Sequence, residues 1–240
     1  MKKTIITLLA MAGVAMGADY TTETIWTAEF GSQYTSGYTT DGLTSAGTFH
    51  DASKLATVNG AQTKADGRIH MEGGNYGDWS KDFEFSMTLT LTGDSITAGH
   101  ISELKASSTG DWLCLGVDGS GALTFNSKDN TLSSVTTTGS VTVGEEYTFT
   151  FTKIGNELTF AAGDASVTAT LGSAFTGTIN NIALGGNTGS NNRVPVLVKS
   201  IAMSSVTLAP EPSTPSIPEP ATATLSLLAL AGLAARRRRR

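Results

Sequence analysis

Cysteine is nearly missing from this chain: Cys114 is the only one in 240 residues. A lone thiol cannot close an internal disulfide, so cross-links within the chain play no part in its stability. Cys114 lies in the apolar run Trp112-Leu113-Cys114-Leu115-Gly116-Val117 and reads as a small buried hydrophobe, with no motif around it that would make it a nucleophile. Histidine is scarce too. His50, His70 and His100 are scattered, with neither His-x-x-x-His spacing nor a carboxylate–histidine cluster, so the pattern offers no metal site. No Gly-x-Ser-x-Gly elbow presents a serine. Gly185-Gly186-Asn187-Thr188-Gly189 is followed by no helix and is not a phosphate loop. These gaps lead us to expect no catalytic residues, no bound cofactor and no enzyme.

Positive charge is sparse in the body of the chain. Of 16 Lys and Arg residues, Lys2, Lys3 and Arg236 to Arg240 belong to the two ends, whereas of 21 Asp and Glu residues only Glu211 and Glu219 lie outside 18–209. The body therefore carries a net charge of about −10, against −5 for the whole chain. So acidic a segment argues against nucleic acid and anionic lipid as partners. It is long enough for one domain with its own core.

What the chain does have is a recognisable pair of ends. Lys2 and Lys3, the apolar stretch Thr4 to Val14, and Ala15-Met16-Gly17 follow the order of a secretory signal, with cleavage by signal peptidase expected after Gly17. At the other end, Pro218-Glu219-Pro220-Ala221 opens an apolar run to Ala235, closed by Arg236, Arg237, Arg238, Arg239 and Arg240. That run is short of the about 20 residues that span a hydrocarbon core, but arginines can snorkel to the interface and hold the basic end in the cytoplasm. Pro218-Glu219-Pro220-Ala221, the hydrophobic segment and the arginine stop resemble the PEP-CTERM sorting signal of Gram-negative bacteria, and Pro210-Glu211-Pro212 repeats its signature upstream. The resemblance implies recognition by an exosortase-type membrane enzyme, transient residence in the inner membrane through the C-terminal helix, and delivery to the cell surface or extracellular matrix. A permanent single-pass anchor is the alternative.

Between the ends the pattern has period two. Phe83, Phe85, Met87, Leu89 and Leu91 alternate with Glu84, Ser86, Thr88 and Thr90, as in a half-buried strand. Tyr147, Phe149 and Phe151 alternate with threonines, turn at Ile154-Gly155-Asn156 and run back through Leu158-Thr159-Phe160. Trp112–Val117 and Ala122–Asn126 form a second hairpin through Asp118-Gly119-Ser120-Gly121. Further strands are expected at Ser166–Leu171, Thr178–Leu184 and Val194–Leu208, with weaker ones at Thr24–Phe30, Leu55–Val58 and Arg68–Met71. Residues 31–47 read as a long loop. Many short strands with Gly-rich turns predict an all-β, two-sheet antiparallel sandwich, flanked by an N-terminal signal helix and a C-terminal hydrophobic helix. The chain divides into a signal peptide (1–17), the sandwich (18–208), a Pro-rich linker (209–217) and the sorting tag (218–240).

The order of these pieces is similar to the concanavalin A-like lectin/glucanase jelly roll, in particular its laminin-G-like branch. The likeness implies sugar bound on a concave face or at loops along one rim. Hydrolases of that fold carry Glu-x-Asp-x-Glu on one strand face, so that two carboxylates flank one bond. Here Asp82 and Glu84 share a face but are expected to point to solvent, and Glu145 and Glu146 face opposite ways. A glycoside hydrolase is thus the third reading, behind a carbohydrate-binding or adhesive domain and a purely structural coat protein.

One constellation suits a sugar. Gly73-Gly74-Asn75-Tyr76-Gly77-Asp78-Trp79 reads as a flexible loop in which Tyr76 and Trp79 could stack on a pyranose while Asn75 and Asp78 bond its hydroxyls. The loop 187–193 adds Asn191 and Arg193, and in a jelly roll the two loops could share a rim. The alternative makes Trp79 a core cap and the asparagines turn formers. Trp112 and Trp26, both in strands, read as core. Asp118 reads as a turn former, with a calcium-binding loop as the alternative. Extracellular polysaccharide is the partner this reading suggests.

The tail yields a test that is independent of the domain. Deleting Pro218 to Arg240 should release or misplace the protein, as seen by cell fractionation; unchanged surface delivery would contradict a sorting role.

Overall fold

Phe83 to Leu91 shows the rule on which the architecture is built. Phe83, Phe85, Met87, Leu89 and Leu91 are buried, while Ser86, Thr88 and Thr90 between them are half-exposed. Each such strand gives one apolar face, and two sheets bring those faces together.

The computed structural model describes residues 20–30, 39–41, 48–50, 55–58, 60–63, 69–128, 132–186 and 193–209. The predicted signal segment, most of the linker and the sorting tail (Pro218, Glu219, Pro220, Ala221 and Arg236 to Arg240 included) lie outside the described residues, as does Asn191. The strands are β1 (Tyr20–Glu29), β2 (Thr39–Asp41), β3 (Thr48–His50), β4 (Leu55–Val58), β5 (Gly60–Thr63), β6 (Ile69–Asp78), β7 (Phe83–Leu91), β8 (Gly99–Ala106), β9 (Asp111–Val117) and β10 (Leu123–Ser127). They continue with β11 (Leu132–Thr138), β12 (Glu146–Ile154), β13 (Glu157–Ala162), β14 (Ala165–Leu171), β15 (Thr178–Leu184) and β16 (Val196–Leu208).

Their pairing makes two antiparallel sheets, the sandwich expected from the alternation. The larger runs β11-β14-β13-β12-β7-β16-β1-β2, with β5 also on β16 and β4 on β5; the smaller runs β10-β9-β8-β15-β6-β3. Register aligns like with like. Val167, Phe160, Phe151, Phe85, Met203 and Trp26 form one row across six strands of the large sheet, all buried. The neighbouring row, on the opposite face, is Thr168, Thr159, Thr152, Glu84, Ser204 and Thr24. A one-residue slip of any strand would exchange the two rows, so burial of one face sets the register.

Three sequence expectations need correction. The segment 73–78 is strand, the second half of β6, and not a loop. Its glycines misled because they form a bulge: Glu72 pairs with Asn181 and Gly77 with Ile179, so residues 73–76 stand opposite Asn180 alone. Gly73 takes the left-handed φ of 80° that this needs, and a Cβ on Gly74 would fall 2.4 Å from the Tyr76 ring, which lies over it. Within 31–47, residues 39–41 are strand β2. Trp112 is half-buried and not in the core, because it alternates with the fully buried Leu113.

The core is aromatic where the sheets meet. The Trp79 ring meets Phe175 edge-on at 5.2 Å between centroids and Phe83 at 5.5 Å. Trp79→Ala should lower unfolding stability by about 3–5 kcal/mol in a denaturant titration, as for other large-to-small core changes; a loss under about 1 kcal/mol would mean that this ring is not packed as described.

Candidate functional site

A cleft of about 430 Å³ lies beside β1, β6 and the ends of β7 and β16. That volume is within the range of about 300–1,000 Å³ common for small-molecule sites. The buried side chains of Trp26, Tyr76, Phe83 and Met203 back it, Ile25 adds exposed apolar surface, and Asn75, Asp78, Lys81, Asp82 and Ser205 supply polar groups.

The chain builds this place by a turn between the sheets. Asp78 Oδ1 accepts the backbone N–H of Ser80 at 2.8 Å, while Lys81 N donates to the Asp78 carbonyl at 3.0 Å. The bond from the Ser80 amide holds the Asp78 carboxyl below the usual carboxylate range, so it is ionised at neutral pH. Asp82 Oδ1 accepts the Gly155 amide at 2.7 Å and lies 3.9 Å from the buried Lys153 ammonium, which itself donates to the Lys81 carbonyl at 3.0 Å. Burial pushes the Lys153 pKa down, opposed by the charges of Asp82 and Asp78. The arrangement fixes two carboxylates at the mouth and leaves Lys81 exposed.

The sequence-predicted residues divide. Asn75 and Asp78 reach the cleft with their polar groups. Tyr76 and Trp79, however, are 0% and 1% exposed, so neither offers a free ring face for stacking. The reason is inter-sheet packing: Trp26 Nε1 donates to the Tyr76 carbonyl at 2.7 Å, and the two rings lie 5.9 Å apart. Arg193 is elsewhere. In the β15–β6 register Thr178 faces Asp78 and Leu184 faces Ile69, and Arg193 bridges His100 just beyond Leu184. Six residues of strand put it roughly 20 Å from Asp78, so the two segments do not share a rim. Asp118 forms the expected turn: its Oδ1 accepts Ser120 N at 2.8 Å, Ser120 Oγ at 2.7 Å and Ala122 N at 3.0 Å.

Sequence reasoning missed a second polar surface, the face of the small sheet turned away from the core. Register aligns Trp112, Lys105, Asn181 and Glu72 across β9, β8, β15 and β6. Next to that row, His70 Nε2 bonds Asn181 Oδ1 at 3.1 Å and Asn181 Nδ2 donates to Ser107 Oγ at 2.6 Å. The only signal was the alternation in His100–Ala106, which is weak because Ser102 faces inward and Glu103 is buried. On the large sheet Glu84 also departs from expectation. It faces away from the core, yet it is 8% exposed because Tyr20 lies over it, with Tyr20 Oη 3.5 Å from Glu84 Oε2. Burial raises its pKa.

Comparison with known proteins agrees with this architecture. Residues 216–240 match the PEP-CTERM protein-sorting motif, two residues further upstream than the Pro218 boundary read from the sequence. That motif marks the chain for export, exosortase processing at the membrane and sorting to the cell surface. No curated protein matches the chain in sequence. Among solved structures, Trypanosoma rangeli sialidase is similar at 14% identity with a TM-score of 0.53, over 74% of this chain and 30% of the sialidase. The same enzyme in complex with 2,3-difluoro-KDN aligns at 13% identity and a TM-score of 0.54, over 75% and 30% of the two chains. The carbohydrate-binding module CBM66 from Bacillus subtilis is similar at 16% identity and a TM-score of 0.43, over 68% and 96%. The chain thus spans less than a third of the sialidase chains, and the likeness shows a shared β-sandwich fold.

The Glu84 environment predicts a pH effect with a definite sign. A carboxyl whose folded pKa is raised resists ionisation, so its penalty is absent below the unfolded pKa of about 4.3, grows as pH rises from there to the folded value, and is constant above it. Glu84→Gln should therefore raise the melting temperature at pH 7–8 and leave it unchanged near pH 3.5. Equal effects at both pH values would count against this account.

Proposed function

We propose that this chain is an exported surface or matrix protein, freed of its leader after Gly17, whose sandwich binds carbohydrate without transforming it. The observation that carries the reading is the cleft of about 430 Å³ where Asn75 and the turn-held carboxylate of Asp78 stand beside the exposed apolar side chain of Ile25. Such a combination suits a polyol that is apolar on its ring face and polar at its edges. Asp78 and Asp82 act in this reading as hydrogen-bond acceptors for hydroxyls. Glycoside hydrolysis would ask one of them to hold a proton near neutral pH, and the pKa of Asp78 is shifted the other way. Extracellular polysaccharide is the partner that fits both the cleft and a surface-sorted protein.

A purely structural coat role is the second reading. It is favoured by the burial of Tyr76 and Trp79, and by the Thr- and Ser-rich outer face of the large sheet. A glycan array probed with the protein from Ala18 to Ala209 separates the two. Binding should fall at least tenfold in Asn75→Ala and Asp78→Asn, the latter keeping the oxygen that the Ser80 turn needs, with no sugar released from bound oligosaccharides. No binding to any glycan by a folded sample would leave the coat reading; release of reducing ends would leave the enzyme.

A further inference from the structure

Charge narrows the class of sugar that the cleft at Asn75 and Asp78 can take, given the carbohydrate reading of that cleft, on which this inference rests. The hydrogen bond from Lys81 N to the Asp78 carbonyl closes a turn, so Asp78 and Asp82 leave it from its two ends, and both line the cleft. Each carboxylate spends one oxygen on holding its place. Asp78 Oδ1 accepts the Ser80 amide at 2.8 Å, and Asp82 Oδ1 accepts the Gly155 amide at 2.7 Å. Among the described residues, Oδ2 of neither accepts a hydrogen bond. Two oriented carboxylates thus line the cleft, each with an acceptor to spare.

The protein's own cations do not take up those acceptors. The Lys153 side chain is 6% exposed, and its ammonium is spent on the Lys81 carbonyl and Asp82 Oδ1. Lys81 is exposed and forms no ion pair among the described residues, although its charge favours the ionised form of Asp78. Glu23, two residues from Ile25 on β1, adds a further exposed carboxylate. The body of the chain carries about −10, a field that gathers cations and repels anions. A uronate or sulfate ester would bring like charge and only acceptors to this place. A protonated amine brings the complement: three donors, no acceptor and a positive charge, which strengthens each bond to a carboxylate. We propose that the cleft takes an amino sugar with a free, protonated amine, as in a polysaccharide of glucosamine units. The ammonium would sit on the carboxylates of Asp78 and Asp82, Asn75 and Ser205 would bond hydroxyls, and Ile25 would lie against the ring. Acetylation of the amine removes the cation and with it the charge-assisted bonds, so the cleft distinguishes free from acetylated amino sugars.

Calorimetric titration of the full chain, held in uncharged detergent, with hexamers of glucosamine, N-acetylglucosamine, glucose and a uronic acid tests this. The glucosamine hexamer should bind at least about tenfold more tightly than the acetylated and glucose hexamers, its affinity should fall as salt is raised, and the uronate should not bind. Asp78→Asn and Asp82→Asn keep the oxygens that the Ser80 and Gly155 amides need. Each should lower the glucosamine affinity at least about tenfold and close most of the gap to the acetylated hexamer. Lys81→Ala should raise the affinity, and Asp94→Asn, exposed and outside the cleft, should leave it unchanged. The preference of the parent chain among the four hexamers decides the matter even if Asp82→Asn, which deprives Lys153 of its carboxylate, fails to fold. Equal affinity for the glucosamine, acetylated and glucose hexamers would overturn this inference and leave carbohydrate binding standing. An equal loss in Asp94→Asn would mean diffuse charge attraction and would overturn it as well. Binding of none of the hexamers would overturn both readings.

Discussion

The molecule depends on one layer of rings held between two sheets. Trp79 meets Phe175, Phe83 and Phe151 edge-on at 5.2, 5.5 and 6.5 Å, and Phe149 stacks on Phe160 at 5.7 Å. Edge-on contacts of this kind add about 0.5–1.5 kcal/mol each to the burial of the rings themselves. Trp26 extends the layer, since its indole donates across the sandwich to the Tyr76 carbonyl and pins the bulge of β6 to the opposite sheet. With no internal disulfide possible, this layer is what holds the sheets in place.

The same constraint decides where ligands can and cannot go. Two aromatic residues that look available in the sequence, Tyr76 and Trp79, are consumed by the layer. What remains at the surface is mainly polar, with Ile25, Val135 and Leu208 as exposed apolar exceptions. The outer face of the large sheet is dominated by threonine and serine, with cross-strand pairs such as Thr88 and Thr148, whose hydroxyls are 3.3 Å apart. The outer face of the small sheet gathers histidine, asparagine, lysine and glutamate instead. One cleft, around Asp78, lies between the two sheets, and another, lined by His100, Asp118 and Thr124, lies on the small sheet.

Strands were legible wherever one face was apolar and the other hydroxyl-bearing. Phe83–Leu91 and Leu55–Val58 match their expected limits, and both hairpins, β9–β10 and β12–β13, turn where Asp118-Gly119 and Gly155 suggested. Legibility failed where burial and polarity part company. In β8, Ser102 faces inward and Glu103 is buried, so the period-two signal is scrambled, and a register shift at Ile101 scrambles it further. Strand β11 failed for the opposite reason: Ser133 to Thr138 are all exposed on an edge, and an edge strand with no buried face has no alternation to read.

The sequence by itself determined the address and the class: a motif at 216–240 that a sorting enzyme reads as linear chemistry, and an alternation that only a two-faced sheet can satisfy. Both are local properties, carried by neighbours along the chain. Which polar groups meet was decided by tertiary structure alone. Asp78 and Ser205 share a cleft because β6 and β16 belong to different sheets pressed together, and His100, Thr124 and Asp118 surround Gly116 because three strands align in one register. Spacing along a chain gives the face on which a residue stands, and the partner strand is chosen by burial of the whole core.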